Sequence, residues 1–377
     1  MTDTMPPRQV TALHRNDYLS QDVFERELRQ VFAKQWLVVG HVSLVRSAGD
    51  YFVKQVGPES LLIARDKEMR LRAYFNVCRH RGFRLCSDGE SGNARRLTCP
   101  YHGWSYGIDG ALRTAPGARD AVDFDFSQLS LHEAWCDVYQ GFILVYLDKD
   151  SPPRLADSIC LSSNEELFSM IHPERMKLAH RETYVVNANW KALLENDMEC
   201  YHCPTSHPSL SVACNVTGFY ADSRSGMHFP LRDGMKTFSI DGDWVCRKPL
   251  GDSLPDRFSC GFLLWPNFCG PVFFADHCVS LETTPLSVDK TQMIAEWYVH
   301  EQAVEGVDYD REQLIKVFDV TNREDARLTE RNFSGIRSMR YVPGPLSATR
   351  EDGVSVALDR YRQMMMVDDA DDARRCS

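Results

Sequence analysis

The chain has 377 residues, 43% of them hydrophobic and 25% charged, with a formal net charge of −10. That length and balance suit a globular protein of two domains, and the acidic excess disfavours nucleic acid or an anionic membrane surface as a partner. The thirteen cysteines form no framework spacing, no hydrophobic leader opens Met1–Arg15, and no apolar run approaches transmembrane length. A reducing cytoplasm is therefore the expected location.

Residues 16–38 carry Phe24, Leu28, Val31 and Phe32 on one helical stripe, which predicts a helix starting near Ser20 or Asp22. From 40 to 150 the pattern is all-β. Residues 71–77 read as a strand with Leu61–Arg65 as its hairpin partner, and Val138–Tyr146 reads as a buried strand. The run Lys149-Asp150-Ser151-Pro152-Pro153 breaks this pattern. The second half mixes strands (Thr183–Val186, Gly261–Trp265, Gln292–Val299) with helices over 189–203, 322–340 and 350–366, and the acid-rich Val367–Ser377 is expected to fray as a flexible tail. The expected fold class is α+β, an all-β N-terminal domain followed by a domain with a helix-flanked antiparallel sheet. The expected boundaries are 1–39 for a helical segment packing on the second domain, 40–155, 156–366, and 367–377 for the tail.

Within the first domain the chain reads Cys78-Arg79-His80, then eighteen residues, then Cys99-Pro100-Tyr101-His102. Two thiolates and two imidazoles on adjoining loops suit a Rieske [2Fe–2S] centre, with two cysteines on one iron and two histidines on the other. Such ligation sets a potential of roughly −150 to +300 mV. A Cys2His2 zinc site is the rival, but its usual C-x2–4-C and H-x3–5-H spacings fit poorly. Pro100 and Gly103 favour a tight turn that leaves backbone N–H groups free to face cluster sulfurs. The stretch NVCRHRGFRLC…CPYHGWSYGIDG resembles the Rieske domain of the Rieske non-heme iron oxygenases. The eighteen-residue gap is longer than that family's usual spacing, and residues 87–95 read as a surface insertion that spares the ligands.

The run from Trp190 to His202 holds good helix formers, and Pro204 opposes its continuation. His202 and His207 are five apart, which an unbroken helix would turn about 140° from one another. A bend lets both imidazoles face one ion. Two histidines, one carboxylate and open positions form the facial triad of non-heme Fe(II) oxygenases. By residue type Asp319, Glu324, Asp325 and Glu330 could each supply the carboxylate. ENDMECYHCPTSHP resembles the mononuclear-iron motif of the same family's α subunits, so the resemblance spans both domains. The later Glu324-Asp325-x4-Glu330 pattern, followed by Gly335 and Arg337, is similar to the family's ligand-bearing helix and selects Asp325, although Phe333 stands where glutamine is common. Glu199 precedes His202 by three, so it can accept a hydrogen bond from the ring nitrogen not bound to metal. In the family this position, often Asp, bridges to a cluster histidine of the adjacent subunit in a head-to-tail trimer. His102 is the matching ligand here.

The resemblance implies the oxygenase component of a multicomponent monooxygenase, with O2, a small-molecule substrate, a [2Fe–2S] cluster and a mononuclear Fe(II). No dinucleotide-binding glycine motif and no four-cysteine ferredoxin spacing is apparent, so electrons come from a separate NAD(P)H-dependent reductase, with or without a ferredoxin. Glu199 within Glu-Cys-Tyr-His-Cys is most similar to the carnitine and betaine oxygenases, which cleave C–N bonds next to a quaternary nitrogen. Aromatic faces would then meet a cation. Phe219, Tyr220, Phe262, Trp265, Phe268, Phe273 and Phe274 are candidates, each of which can equally be a core residue. Hydroxylation or O-demethylation of an aromatic acid is the second enzyme reading. A plain Rieske electron carrier is the non-enzyme reading, and it would not need residues 160–377.

Overall fold

The computed structural model describes residues 11–118, 124–161, 168–222 and 226–375. They form two compact units, one of Phe32–Leu155 and one of Met1–Val31 with Ala156–Ser377. The first division falls at residue 31/32, not at 39/40. Trp36 is the reason: its indole N–H donates to Pro153 O at 2.9 Å, and its ring lies 5.9 Å from Tyr146. Both partners belong to the β unit.

In that unit a seven-stranded sheet runs in the order Leu37–His41, Phe142–Tyr146, Glu133–Tyr139, Leu71–Phe75, Glu59–Arg65, Asp50–Val56, Ser91–Asn93. Phe142–Tyr146 is buried throughout, as a continuous apolar run requires. The apolar stretch read as one strand over 138–146 is instead a hairpin, because Gln140 and Gly141 both take positive φ (47° and 78°). The expected 61–65/71–77 pairing is present, with Arg65 opposite Leu71. Residues 91–93 add an exposed edge strand opposite Asp50–Phe52, so the long interval between the ligand loops is partly absorbed into the sheet. A separate three-stranded sheet, Arg96–Thr98, Ser105–Gly107 and Leu112–Thr114, carries the second ligand loop.

The other unit is built on a six-stranded antiparallel sheet in the order Cys160–Leu161, Ser259–Leu264, Phe268–Phe274, Cys278–Ser287, Lys290–His300, Met176–Val186. Helix Arg311–Ile336 packs on Met176–Val186 and on helix Trp190–Asp197. It starts eleven residues before the predicted 322, where the Asp310 carboxylate accepts from Gln313 N–H. The final helix, Asp352–Arg375, runs past the expected end at 366, and from 354 onward its sequence holds no Gly or Pro to stop it. Helix Gln21–Glu27, which follows a short helix at Arg15–Leu19, is capped by Ser20 as its sequence suggested. Its last residue, Glu27, is fully buried and accepts from Lys191 Nζ (2.5 Å), Trp190 Nε1 (2.7 Å) and Tyr361 OH (2.6 Å). Breaking such a buried pair from one side costs about 3–5 kcal/mol. This network fixes Trp190–Asp197, the helix that leads into the histidine segment. Among the described residues no helix is long and apolar enough to cross a membrane.

Candidate metal centres

The two ligand loops of the β unit repeat one backbone pattern. Cys78 N–H donates to Phe83 O (2.8 Å) and Gly82 N–H to Cys78 O (2.9 Å); Cys99 N–H donates to Trp104 O (2.7 Å) and Gly103 N–H to Cys99 O (3.0 Å). Gly82 and Gly103 sit at φ 74° and 72°, the left-handed conformation that closes each turn. The turns bring the His80 and His102 rings to 4.6 Å between centroids, above two buried cysteines. Burial pushes the Cys99 thiol up, while the N–H groups of Tyr101 and His102 oppose it by favouring thiolate. The spacing alone did not reveal three supports. The Trp104 ring stacks on His80 at 4.7 Å, Tyr106 OH lies 3.3 Å from Cys78 Sγ, and Gly82 mirrors Gly103. Two thiols and two imidazoles on matched turns, with N–H groups aimed at sulfur, fit a Rieske cluster.

In the second unit the chain departs from the predicted long helix. Trp190–Asp197 ends at Met198, before Pro204 is reached. The Glu199 carboxylate takes the N–H groups of Tyr201 and His202, so this side chain supplies partners that a continuing helix would have provided. Two short helices follow, Cys203–Ser206 and Pro208–Ala213, and His207 stands between them outside the helical conformation (φ −122°, ψ 76°). Cys200 and Cys203 are bridged, with Cα atoms 4.9 Å apart, although the cysteine spacing suggested no disulfide framework. The intervening turn brings the two sulfurs side by side.

The bends bring His202 Nε2 within 3.0 Å of His207 Nε2, and Asp325 Oδ1 lies 3.2 Å and 2.9 Å from them. Three cis ligands around one ion at about 2.1 Å would stand about 3.0 Å apart, so this triangle fits a facial triad. Cys203 Sγ is also close, 3.8 Å from His202 Nε2, but the bridge leaves it no thiolate to offer. The remaining ring nitrogens are both held by carboxylates. Glu199 Oε1 receives His202 Nδ1 at 2.6 Å, although the two residues share a turn rather than a helix face. Glu324 Oε2 receives His207 Nδ1 at 2.9 Å. These contacts turn each Nε2 toward a metal position, where Asn196 Nδ2 also lies 3.2 Å from His202 Nε2.

Of the four carboxylates open by residue type, only Asp325 meets both Nε2 atoms. Asp319 binds Tyr184 OH (2.6 Å) and Glu330 binds Asn187 N–H (2.8 Å). Burial opposes charge on His202, yet Asp325 and Glu199 outweigh it and push the imidazole up to about 9. Burial likewise opposes charge on Asp325, and the two histidines hold it below the usual carboxylate range.

A cavity of about 590 Å³, its open mouth included, adjoins this triangle. Phe219, Phe229, Phe318, Leu210, Val272 and Leu281 are among its wall residues. Phe318, Thr321, Asn322 and Asp325 recur at i, i+3, i+4 and i+7 along one helix face, a signal present in the sequence. The strand aromatics are placed otherwise. Phe262, Trp265, Phe268, Phe273 and Phe274 are all buried in the sheet core and none lines the cavity, whereas Phe219 does. The side chain of Tyr220 lies outside the described residues.

The Rieske [2Fe–2S] domain family model matches residues 35–128, and that of the ring hydroxylating alpha subunit (catalytic domain) matches 173–366. The chain belongs to the Rieske oxygenase alpha subunits. It is accordingly an oxidoreductase whose cofactors are a [2Fe–2S] Rieske cluster and a mononuclear iron. It is 34% identical to the glycine betaine monooxygenase oxygenase subunit of Pseudomonas aeruginosa, across 93% of this chain and 88% of that one. It is 29% identical to the carnitine monooxygenase oxygenase subunit of Escherichia coli, across 89% and 87%. The crystal structure of the quaternary ammonium Rieske monooxygenase CntA in complex with substrate L-carnitine aligns with a TM-score of 0.77 at 26% identity, across 97% of this chain and 100% of that one.

Proposed function

We propose that this Rieske oxygenase is the terminal component of a multicomponent monooxygenase that hydroxylates a C–H bond beside a quaternary nitrogen and so cleaves a C–N bond. The observation that carries the reading is the cavity: its aromatic wall of Phe219, Phe229 and Phe318 adjoins the His202–His207–Asp325 triangle. Aromatic faces attract organic cations by about 0.5–2 kcal/mol each, more when water is excluded. The similarity to betaine and carnitine oxygenase subunits supports the same substrate class.

In this reading Cys78, Cys99, His80 and His102 hold the cluster, and His202, His207 and Asp325 hold the iron. When bound, the cluster supplies single electrons and the iron supplies O2 activation. The chain's own residues do the rest. Glu199 and Glu324 fix the imidazole orientation through Nδ1, and the apolar wall keeps bulk water from the reacting carbon. Overall, O2, two electrons and two protons convert an N-methylene or N-methyl C–H to C–OH and water. The N–C–OH product then collapses to an amine, a carbonyl and a proton. The electrons come from NAD(P)H through a separate reductase, with or without a ferredoxin.

We assign residues 32–155 to the cluster domain and 156–366 to the iron domain, and place the enzyme in the cytoplasm as a homotrimer. Phe83 and Tyr101 beside the cluster loops are exposed at 44% and 52%, and Tyr201 beside Glu199 at 59%. Such apolar patches next to both ligand sets suit an inter-subunit contact, with Glu199 as the electron bridge to His102 of a neighbouring copy. The test is O2 uptake by the reconstituted system with glycine betaine, carnitine and choline, together with formaldehyde and trimethylamine detection. Carbonyl product matching O2 consumed is expected for at least one of them. Uptake driven only by aromatic acids would replace this reading with the aromatic-acid one.

A further inference from the structure

Four carboxylates lie in or against the cavity wall, and three are engaged. Glu199 and Glu324 take the Nδ1 atoms of the two histidines, and Asp325 faces both Nε2 atoms. The fourth is Asp197, the last residue of the Trp190–Asp197 helix, which also lines the cavity. Among the described residues no hydrogen-bond donor and no Lys or Arg acts on its carboxylate; only burial, Asp325 and His202 influence its charge. Burial and Asp325 raise its pKa and His202 opposes them. Its side chain is only partly covered, and a carboxyl group that meets no protein donor on a cavity wall calls for an explanation beyond packing.

The rest of the wall narrows what that explanation can be. The described lining residues include no Lys or Arg, and the two histidines are engaged by Glu199, Glu324 and Asp325, so the cavity offers an anionic ligand no unengaged cationic side chain. Phe229 stands 4.9 Å from Phe219 and 6.2 Å from Phe318 between ring centroids, forming an aromatic surface in the same cavity as Asp197. An unpaired carboxylate and π-faces attract the same kind of ligand, an organic cation too weakly hydrated to resist leaving water.

We infer that Asp197 is the counter-ion that selects a cationic nitrogen in this cavity, acting as a specificity-determining residue rather than a metal ligand. The inference rests on the quaternary ammonium reading above, and sharpens it by separating charge recognition from shape and aromatic contact. A neutral molecule of the same shape would keep the apolar contacts and lose the ion pair.

Choline and 3,3-dimethylbutan-1-ol differ only in that a carbon replaces the charged nitrogen. Their binding to the holoenzyme by calorimetry reads charge selection directly. The wild-type protein should prefer choline by about tenfold or more. Asp197→Asn should remove most of that preference while leaving the affinity for the neutral alcohol unchanged, and Asp197→Glu should keep part of it. Iron content and cluster absorbance of each variant establish that the site is intact. An Asp197→Ala variant with the same readouts covers the case in which the amide pairs wrongly. If wild type prefers choline and Asp197→Asn keeps that preference, or weakens both ligands equally, the Asp197 assignment is overturned and the substrate class stands. If wild type does not prefer choline, both fall.

Discussion

The ligand loops of the β unit and the triangle of the second unit are both rich in histidine, but they are held by different means. Each cluster loop is closed by its own backbone: Gly82 returns to Cys78, and Gly103 to Cys99, within five residues. The triangle is not closed in this way: backbone bonds such as His207 N–H to Cys203 O shape the bend but do not bring in its third corner. It joins a bent segment at 199–208 to Asp325 more than a hundred residues later, and side-chain contacts orient both rings. The first geometry is written into short-range turns, so it tolerates change elsewhere. The second depends on how helix Arg311–Ile336 packs against Trp190–Asp197. Damage should therefore be confined to one centre at a time, and more severe at the triangle for a single side-chain change.

The largest expected effect is from Asp325→Ala, which removes the carboxylate corner of the triangle. The variant should fall from three irons per chain to two and lose product formation by about a thousandfold or more, with the cluster spectrum intact. Metal analysis beside visible absorbance checks this. Retained activity in Asp325→Ala with loss in Glu330→Ala would transfer the ligand role to Glu330. Loss of the cluster signal in Asp325→Ala would break the separation between the two centres.

Next is Glu199→Gln, which keeps the size of the side chain and removes its charge. Both metals should load and the cluster should still accept electrons from the reductase. Cluster reoxidation in a single turnover with O2 and substrate should slow by about a hundredfold. Normal reoxidation with normal product yield would reduce Glu199 to a cap of the local turn, a role its bonds to Tyr201 and His202 N–H already give it. A mixed trimer sharpens the test, since a chain lacking its cluster should be rescued by a neighbour's.

The same contrast explains what could be read from residue order alone. Cys78, His80, Cys99 and His102 were legible because each pair sits on one turn and mixed ligation admits few chemistries. His202 and His207 were legible as a pair, but helix continuity to His202 was not, because Glu199 diverts the backbone N–H groups that a helix would use. Asp325 could be chosen over Glu324 only by resemblance, since adjacent acidic residues on a helix look alike until packing decides which face turns inward. The strand aromatics misled for a related reason. Phe268–Phe274 is buried at every position, so alternation could not separate a cavity face from a core face. Phe318 sat in plain view, seven residues before Asp325 on the same stripe. Phe229 had no comparable signal, because a loop places it.

A smaller effect follows from pH. His202 is raised to about 9 by Asp325 and Glu199 against the pull of burial, so at neutral pH the metal-free ring carries a proton that must leave before a metal binds. Affinity of the iron-depleted enzyme for Fe(II) or Co(II) should therefore rise with pH up to about 9. Below that, it should weaken by up to about tenfold per pH unit for each displaced proton. Calorimetry in buffers of different ionisation enthalpy would count the protons released. Glu199→Gln and Glu324→Gln should each flatten the dependence while costing about 10–100-fold in affinity. A pH-independent affinity between 6 and 9 would mean that the triangle is not charged in the way these contacts require.

The smallest expected effect isolates the backbone closure of the cluster loops. Gly82 and Gly89 have nearly the same φ, 74° and 75°, and a Cβ added at either meets nothing within 4 Å. Alanine should cost each position the same left-handed strain, roughly 1–2 kcal/mol, with no steric clash to confuse the comparison. The two differ in what the turn holds. Gly82 N–H closes the Cys78 loop at 2.9 Å, whereas Gly89 lies in the 87–90 turn away from the ligands. Both variants should therefore lower the thermal midpoint of the β unit alike, and only Gly82→Ala should also speed loss of cluster absorbance below that midpoint. Iron bound at the triangle should be untouched in both. Equal cluster loss in the two variants would mean that general stability, not the closure of the Cys78 turn, keeps the ligands in place, and the contrast drawn between the two centres would lose its physical basis.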